Sequence, residues 1–499
     1  MAHKGVFSFR SRNETSHQLR VFIFISIILV FSSPPLINKG FGGDIDSWLI
    51  AQSAKDMSDT GHYAASRTTG FPLYEIINVP LIRYGGWLAS NTATLIVSII
   101  CVFIFGQIVL KMKSRYPEIL TVIFALFPHF LANASITLDY LWALSLGLGG
   151  FLALLHRKEK WAGVLVGLST GFRPTGIVFV VPFSLWLYVK EKSLQRIFHF
   201  ALFAGLCGLA AYAPALSTYG ASRLSPSSYA PTLGARLDLM VILFLYKGSQ
   251  FLGTPATIFL LVLFFHLLVK RKLFLRRDVS LLFWSAALAF LFPFFFYCDE
   301  PAYLLPVFPF LLIFLDQAVS RKALVLFLVL CLSYNFFNID RYSKEDLDAR
   351  PLREEGLSVV KGIRISFIRG VYAEEHFQRK VILALRNKLP KMKLGEKAVV
   401  LLNMENGLPL HFANRDIESP EQESGDRVPF RTVKAFIGKS RFEDTYFFEL
   451  MGKDDFQKVM RVSENIYYLE KARRMLIVWE GYDVEAYGAR RINLEELFQ

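Results

Sequence analysis

The chain has 499 residues, 53% of them hydrophobic and 15% aromatic, with 47 Phe and a formal charge of +14. Its mean hydropathy of +0.37 is too high for a soluble chain of this length, and the apolar share exceeds the usual roughly 45–50%, so a polytopic membrane protein is expected. The charge is unequally divided: 28 Lys and Arg stand against 15 Asp and Glu up to residue 338, and 28 against 27 beyond it. An excess confined to the apolar part excludes a soluble nucleic-acid-binding domain and points to orientation in a bilayer.

A basic tail, residues 1–20, precedes a first apolar run at 21–38 that carries Pro34-Pro35 and lacks a small-residue cleavage site. It reads as an uncleaved signal anchor. A long polar loop, 39–88, is followed by apolar runs at 89–110, 118–134 and 139–155. Between Lys160 and Lys190 lies a stretch too long for one crossing and interrupted by Gly171-Phe172-Arg173-Pro174. Proline ends one helix and starts another, so two short helices meeting at a break are expected. Runs at 197–217, 251–269, 279–297, 303–318 and 323–338 complete about eleven crossings, judged against the roughly 17–25 residues that span about 30 Å of hydrocarbon. The expected fold is therefore an all-α polytopic membrane domain, 21–338, followed by a small α/β domain, 339–499. In that tail a helical stretch near 352–388 precedes apolar runs at 397–403, 431–437, 444–450, 465–469 and 473–479 and a helical end. Asn403, Glu405 and Asn406 follow an apolar run, where a plain loop explains them better than a binding groove.

The basic clusters orient the chain. Lys4/Arg10/Arg12/Arg20, Lys111/Lys113/Arg115, Arg157/Lys158/Lys160, Lys190/Lys192/Arg196, Lys270/Arg271/Lys272/Arg276/Arg277 and Arg321/Lys322 share one side if the N-terminus is cytoplasmic. An odd number of crossings then places the tail outside the cytoplasm. Asp44, Asp46, Asp56, Asp59, Glu75, Asp139, Asp238, Asp299 and Glu300 fall on the exoplasmic side, and Glu14, Glu118, Glu159, Glu191, Asp278 and Asp316 on the cytoplasmic one. Cys101, Cys207, Cys298 and Cys331 lie in or beside membrane runs with no paired spacing, so neither a disulfide framework nor a thiolate zinc site is expected. The nine histidines form no HxxxH or HExxH pattern.

Four exoplasmic spots concentrate polar groups. Loop 39–88 opens with Gly42-Gly43-Asp44-Ile45-Asp46-Ser47-Trp48, continues through an amphipathic stretch to Asp59, and then runs from Gly61 through His62 and Arg67 to Glu75. Two carboxylates two residues apart at a membrane surface repel one another, which raises one pKa toward the range of a general base. Asp139 opens an apolar run and would serve equally as a helix cap, an interaction of about 1–2 kcal/mol. Arg173 lies inside an apolar stretch, where a guanidinium is costly unless it faces a cavity or a partner. Asp299 and Glu300 precede a run containing Tyr303, and capping again competes with function.

Together these segments resemble the GT-C superfamily of integral-membrane glycosyltransferases, which use lipid-phosphate-linked sugars. GGDIDSW is similar to that family's acidic pair in a long first exoplasmic loop, SRTTGFPLYE to its R-x-x-G-x-P-L segment and ASITLDYLWAL to its acidic second-loop motif. GLSTGFRPTG is similar to its G-L-x-x-x-x-R-P-T-G stretch and EPAYLLPVFPFLL to its R-Y-L-L-P-x-x-P segment. The resemblance covers about residues 20–340. In two places the chain departs from the pattern: Ile45 separates the acids where many members have adjacent Asp-Glu, and Ala302 stands where Arg is usual.

The resemblance implies a polyprenyl-phosphate-linked sugar donor, an exoplasmic glycan, lipid or protein acceptor, membrane lipids as surroundings and no nucleic acid. It implies Asp44 or Asp46 as catalytic base, Arg173 and Arg67 on the donor phosphate, and Asp139, Glu300, Tyr303 and His62 as substrate-binding residues. No cofactor is required; a divalent ion (Mg or Mn) is optional, held by Asp44 and Asp46 if used. A bacterial inner membrane is the expected location. The rival classes are a lipid-linked glycan transporter or flippase, which would show internal repeats and mid-membrane polar groups, and an O-antigen ligase or polymerase, which would show arginine-rich exoplasmic loops.

Overall fold

The computed structural model describes residues 8–67, 69–220, 237–270, 276–296, 300–340, 366–388 and 399–402, with 437–439, 446–449, 466–468, 485 and 489–492. Cys298, Asp299, Asn403, Glu405, Asn406, the stretches 352–365 and 473–479 and the helical end lie outside the described residues, as does the side chain of Asp238.

Helices dominate up to Ser333. They are α1 (Ser8–Ser32), α2 (Pro34–Ile37), α3 (Ile45–Thr60), α4 (Pro72–Lys111), α5 (Pro117–Leu126), α6 (Pro128–Asn133), α7 (Tyr140–Leu155) and α8 (Glu159–Phe172). A 3-10 turn, Pro174–Phe179, leads to α9 (Val180–Glu191), α10 (Leu194–Tyr219), α11 (Leu237–Leu252), α12 (Thr254–Val269) and α13 (Arg277–Phe296). A second 3-10 turn, Pro301–Val307, leads to α14 (Phe308–Ala318) and α15 (Arg321–Ser333). Five helical segments among the described residues are long and apolar enough to cross a bilayer, six if the pair 244–252 and 254–269, bent by 99°, is one broken span. The chain is thus a multi-pass membrane protein, and the described residues do not show eleven uninterrupted crossings.

Proline accounts for much of the difference. The run expected at 118–134 is split at Phe127-Pro128 into α5 and α6, because the residue before proline leaves the helical region; Phe127 has φ −60° and ψ 134°. The run expected at 323–338 leaves the helix at Ser333, and strand β1 (Phe337–Asp340) takes over. The loop read as 39–88 is largely helical: α3 fills its first half, and α4 starts at Pro72 and runs for 40 residues. At 1.5 Å per residue α4 is about 60 Å long, twice the hydrocarbon thickness. It accommodates this by a kink at Gly86, whose φ of 56° suits a residue without Cβ.

Aromatic side chains fill the bundle: Phe151 and Phe183 lie 5.1 Å apart between ring centroids, and Phe127 stacks on Phe308 at 3.9 Å. Small residues set the closest helix contact. Gly163, Gly167 and Gly171, four residues apart on α8, face α10 so closely that a Cβ at Gly163 would lie 2.4 Å from the Phe200 carbonyl oxygen. Such spacing lets membrane helices approach at van der Waals distance.

After the bundle β1 pairs antiparallel with β2 (Ser366–Arg369), and α16 (Val371–Lys388) packs on α6 and α2. Five further strands, β3 (Val399–Leu402), β4 (Ile437–Lys439), β5 (Tyr446–Glu449), β6 (Ile466–Tyr468) and β7 (Arg490–Arg491), form one sheet in the order β4-β5-β3-β6-β7. Its pairings are parallel except β4 with β5.

Candidate active site

Helix α7 connects two chemically different ends of the bundle, with Asp139 at its start and Arg157 just beyond its finish. At the Arg157 end the basic clusters meet. Arg157 reaches Glu191, Arg196 pairs with Glu159 and Glu191, Lys190 and Arg276 share Asp278, and Arg276 donates to the Met112 carbonyl. Arg115 donates through its Nε to the carbonyl of Asp316 at 2.7 Å.

At the other end the chain collects four carboxylates and two guanidiniums. Asp139 is fully buried and lies between both cations: Arg67 donates to its Oδ1 and Arg173 to its Oδ2, each at 2.6 Å. The second arm of the Arg67 fork holds Asp46. Arg173 lies over the rings of Tyr140 and Tyr303, 3.9 and 4.7 Å from their centroids, and Arg67 lies 3.8 Å over Phe71. Planar guanidiniums favour such bidentate and stacked surroundings. The extended backbone of Arg173, φ −153° and ψ 125°, comes from the proline that follows it, and aims the side chain off the end of α8.

Asp44 caps α3, accepting from the Asp46 amide at 2.8 Å. It also meets Glu300, and oxygens of Asp44, Asp46 and Glu300 all lie within 4.8 Å of one another. Burial raises the Asp44 pKa well above the ordinary carboxylate range, and the neighbouring Glu300 and Asp46 charges raise it further. For Asp46 burial also raises the pKa, with Arg67 pulling in the opposite direction. Like-charged neighbours thus disfavour the ionised form of Asp44, which among the described residues has no guanidinium pulling in the opposite direction as Asp46 has. The three acids are hard oxygen donors of the kind that Mg²⁺ or Mn²⁺ accepts.

Capping does not explain the other two acids. The Asp139 side chain makes no cap hydrogen bond to α7, and the Glu300 side chain makes none to the turn it precedes. The Glu300 carboxylate instead accepts from the Tyr140 hydroxyl. Below Arg173 a slot continues into the bundle between Leu144, Phe179, Phe290, Leu305 and Pro306, with a free volume of about 10 Å³. That is room for about one water, so any larger occupant must displace side chains.

Of the residues expected at the site, Asp44, Asp46, Arg67, Asp139, Arg173, Glu300 and Tyr303 are brought together. His62 is not: it is exposed beyond the end of α3, where its backbone N–H donates to Thr60. The left-handed Gly61 that terminates α3 turns the chain away before His62 is reached. Tyr140 and Glu375 had no distinguishing signal in the sequence, and Glu75 showed there only as an exoplasmic acid at the end of the Arg67 segment. Tyr140 was hidden as an aromatic residue in an apolar run. Glu75 is a buried clamp, accepting from Tyr63 at 2.5 Å, the Ser66 amide at 2.6 Å and the Phe71 amide at 3.0 Å, which shapes the loop that carries Arg67. Glu375, on α16, accepts from the Gly43 amide at 2.8 Å.

No protein-family model matches the sequence, and no curated protein matches it. Among solved structures the fold is similar to the crystal structure of ArnT from Cupriavidus metallidurans bound to undecaprenyl phosphate, with 11% identity over 63% of this chain and a TM-score of 0.45. The chain spans about 62% of that neighbour's length. At that identity and score no residue of this chain takes a role from it.

Proposed function

We propose that the chain is an integral-membrane glycosyltransferase of the GT-C type, moving a sugar from a polyprenyl phosphate to an exoplasmic acceptor with inversion at the anomeric carbon. One observation carries this most: the convergence of Asp44, Asp46, Asp139 and Glu300 with Arg67 and Arg173 at one end of an apolar bundle. A base and a cation on one membrane face are what lipid-phosphate glycosyl transfer needs.

Asp44 takes the proton of the acceptor hydroxyl as its oxygen attacks the anomeric carbon. The bond from that carbon to the phosphate oxygen breaks, and its electron pair leaves with the phosphate. Arg173 receives the growing negative charge, and Arg67 keeps Asp46 and Asp139 ionised and aligned. Asp46 is the second candidate for the base, less apt because its carboxylate already accepts from Arg67. Glu300, Tyr303 and Asp139 face the sugar, and the slot below Arg173 receives the first prenyl units once its side chains part. A divalent ion, if used, would sit on Asp44, Asp46 and Glu300 and add positive charge beside the leaving phosphate.

In this proposal residues 1–20 are cytoplasmic, 21–338 form the catalytic membrane domain and 339–499 form an exoplasmic α/β domain in a bacterial inner membrane. The test uses purified protein in lipid vesicles with radiolabelled sugars on undecaprenyl phosphate. Transfer or release of sugar is expected, with EDTA deciding whether an ion takes part. Flux of the lipid-linked sugar across the vesicle without transfer would replace the proposal with a transporter.

A further inference from the structure

Helix α16 belongs to the tail, more than 320 residues from the start of loop 39–88, yet it meets that loop both at Lys39, through His376 at 3.5 Å, and at Gly43. The Glu375 carboxylate accepts from the Gly43 amide at 2.8 Å and from the Nε of Arg379, one turn further along, at 2.7 Å. Arg379 is fully buried. Its Nη1 donates to the Leu36 carbonyl at the end of α2, and its Nη2 reaches the Ser135 carbonyl at 3.5 Å. The same two loops meet again where the Thr137 amide donates to the Phe41 carbonyl at 2.9 Å. One guanidinium therefore ties the strand of chain leading to Asp44 to the turn leading to Asp139.

Gly43 leaves room for this contact. A Cβ there would lie 2.7 Å from the Glu375 Oε2 and 3.0 Å from the Gln378 Cβ, so a larger residue would displace the Glu375 carboxylate from its present place. A buried ion pair is also an expensive way merely to dock a helix, since desolvation offsets most of its attraction and apolar contacts would dock it as well. What it adds is direction: three carbonyl and amide groups of two loops are held at hydrogen-bonding geometry.

We infer that Glu375 and Arg379 are positioning residues, through which the tail holds Gly43 and so sets Asp44 in register with Asp139. The inference rests on the proposed transfer reaction for its catalytic consequence, but the clasp itself is a physical contact that can be measured without it. Tyr372 provides the control. Its hydroxyl donates to the Ser32 carbonyl at 2.5 Å, which docks α16 without touching the glycine loop.

The experiment compares full-length wild type, Glu375→Ala, Glu375→Gln and Tyr372→Phe in lipid, by amide exchange over residues 40–47 and by transfer kinetics. Glu375→Ala is expected to speed exchange in that segment and to lower kcat on the order of 10- to 100-fold, the scale of a misplaced catalytic group, with donor KM nearly unchanged. Glu375→Gln, which keeps an oxygen for the Gly43 amide, recovers most of both, and Tyr372→Phe matches wild type. Unchanged exchange or wild-type kcat in Glu375→Ala overturns the inference, as does an equal loss in Tyr372→Phe. If wild type transfers sugar from no donor, the proposed function falls, and the exchange comparison alone still decides whether the clasp exists.

Discussion

The two ends of the bundle contain the same kinds of residue and use them differently. At the basic end the acids close helix termini or meet cations that range from half-buried to exposed. Asp316 accepts from the amides of Arg115 and Tyr116 at 2.7 and 2.9 Å, and Arg157, which reaches Glu191, is 79% exposed. Solvated pairs of that kind stabilise little, about 0–1 kcal/mol. At the acidic end Arg67 and Arg173 are 13% and 10% exposed, Asp139 is fully buried, and four carboxylates face two guanidiniums. A desolvated cluster with an excess of one sign costs stability, so folding gives no reason to keep it. Perturbed carboxylates at such a place are characteristic of working sites.

The contrast can be broken most severely at Asp44. Asp44→Asn is expected to lower kcat by about 10²–10⁴, the range of a general base. Its Tm should equal or exceed that of wild type. A carboxyl whose pKa is raised on folding is most stabilising when protonated, and that contribution is lost as pH rises through the raised value, so the ionised form is a burden at neutral pH that Asn removes. Next is Arg173→Met, expected to cost about 10²–10³ in kcat through the unstabilised leaving phosphate. Unlike Asp44→Asn it should lower Tm, because Asp139 loses one of its two partners.

The third prediction concerns pH. With Asp44 acting as a base that must be ionised, kcat/KM falls as pH drops through its raised pKa, so the acidic limb should lie above the ordinary carboxylate range. A limb near the ordinary value would assign the base elsewhere. The smallest effect is expected at the basic end: Asp316→Asn weakens the tie to Arg115 and Tyr116 and lowers Tm, while kcat stays within about twofold, as befits a change far from the reacting atoms.

Much of this division was legible as charge sorted by side. The same clusters that predict orientation, such as Arg157 with Arg196 and Lys190 with Arg276, are gathered at one end. The break at Arg173-Pro174 could be read from proline chemistry, and the acids of loop 39–88 from their spacing. Span number was not legible, because hydropathy does not register that Phe127-Pro128 and Ser333 end helices inside apolar runs. Nor could the sequence say whether Asp139 and Glu300 act as caps; only the positions of Arg67, Arg173 and Tyr140 show that their carboxylates are engaged elsewhere. Glu375 and Arg379 look like any i, i+4 pair on a charged helix, and their meaning lies in Gly43 and Leu36, far away in the chain.

The central claim is that glycosyl transfer takes place at the acidic end, with Asp44 as base. It is tested most directly by single-turnover transfer from a radiolabelled undecaprenyl-phosphate sugar in lipid, comparing wild type, Asp44→Asn and Asp316→Asn. Transfer by wild type and Asp316→Asn at similar rates, with Asp44→Asn slowed at least a hundredfold, is the predicted result. Wild-type transfer by Asp44→Asn would contradict it.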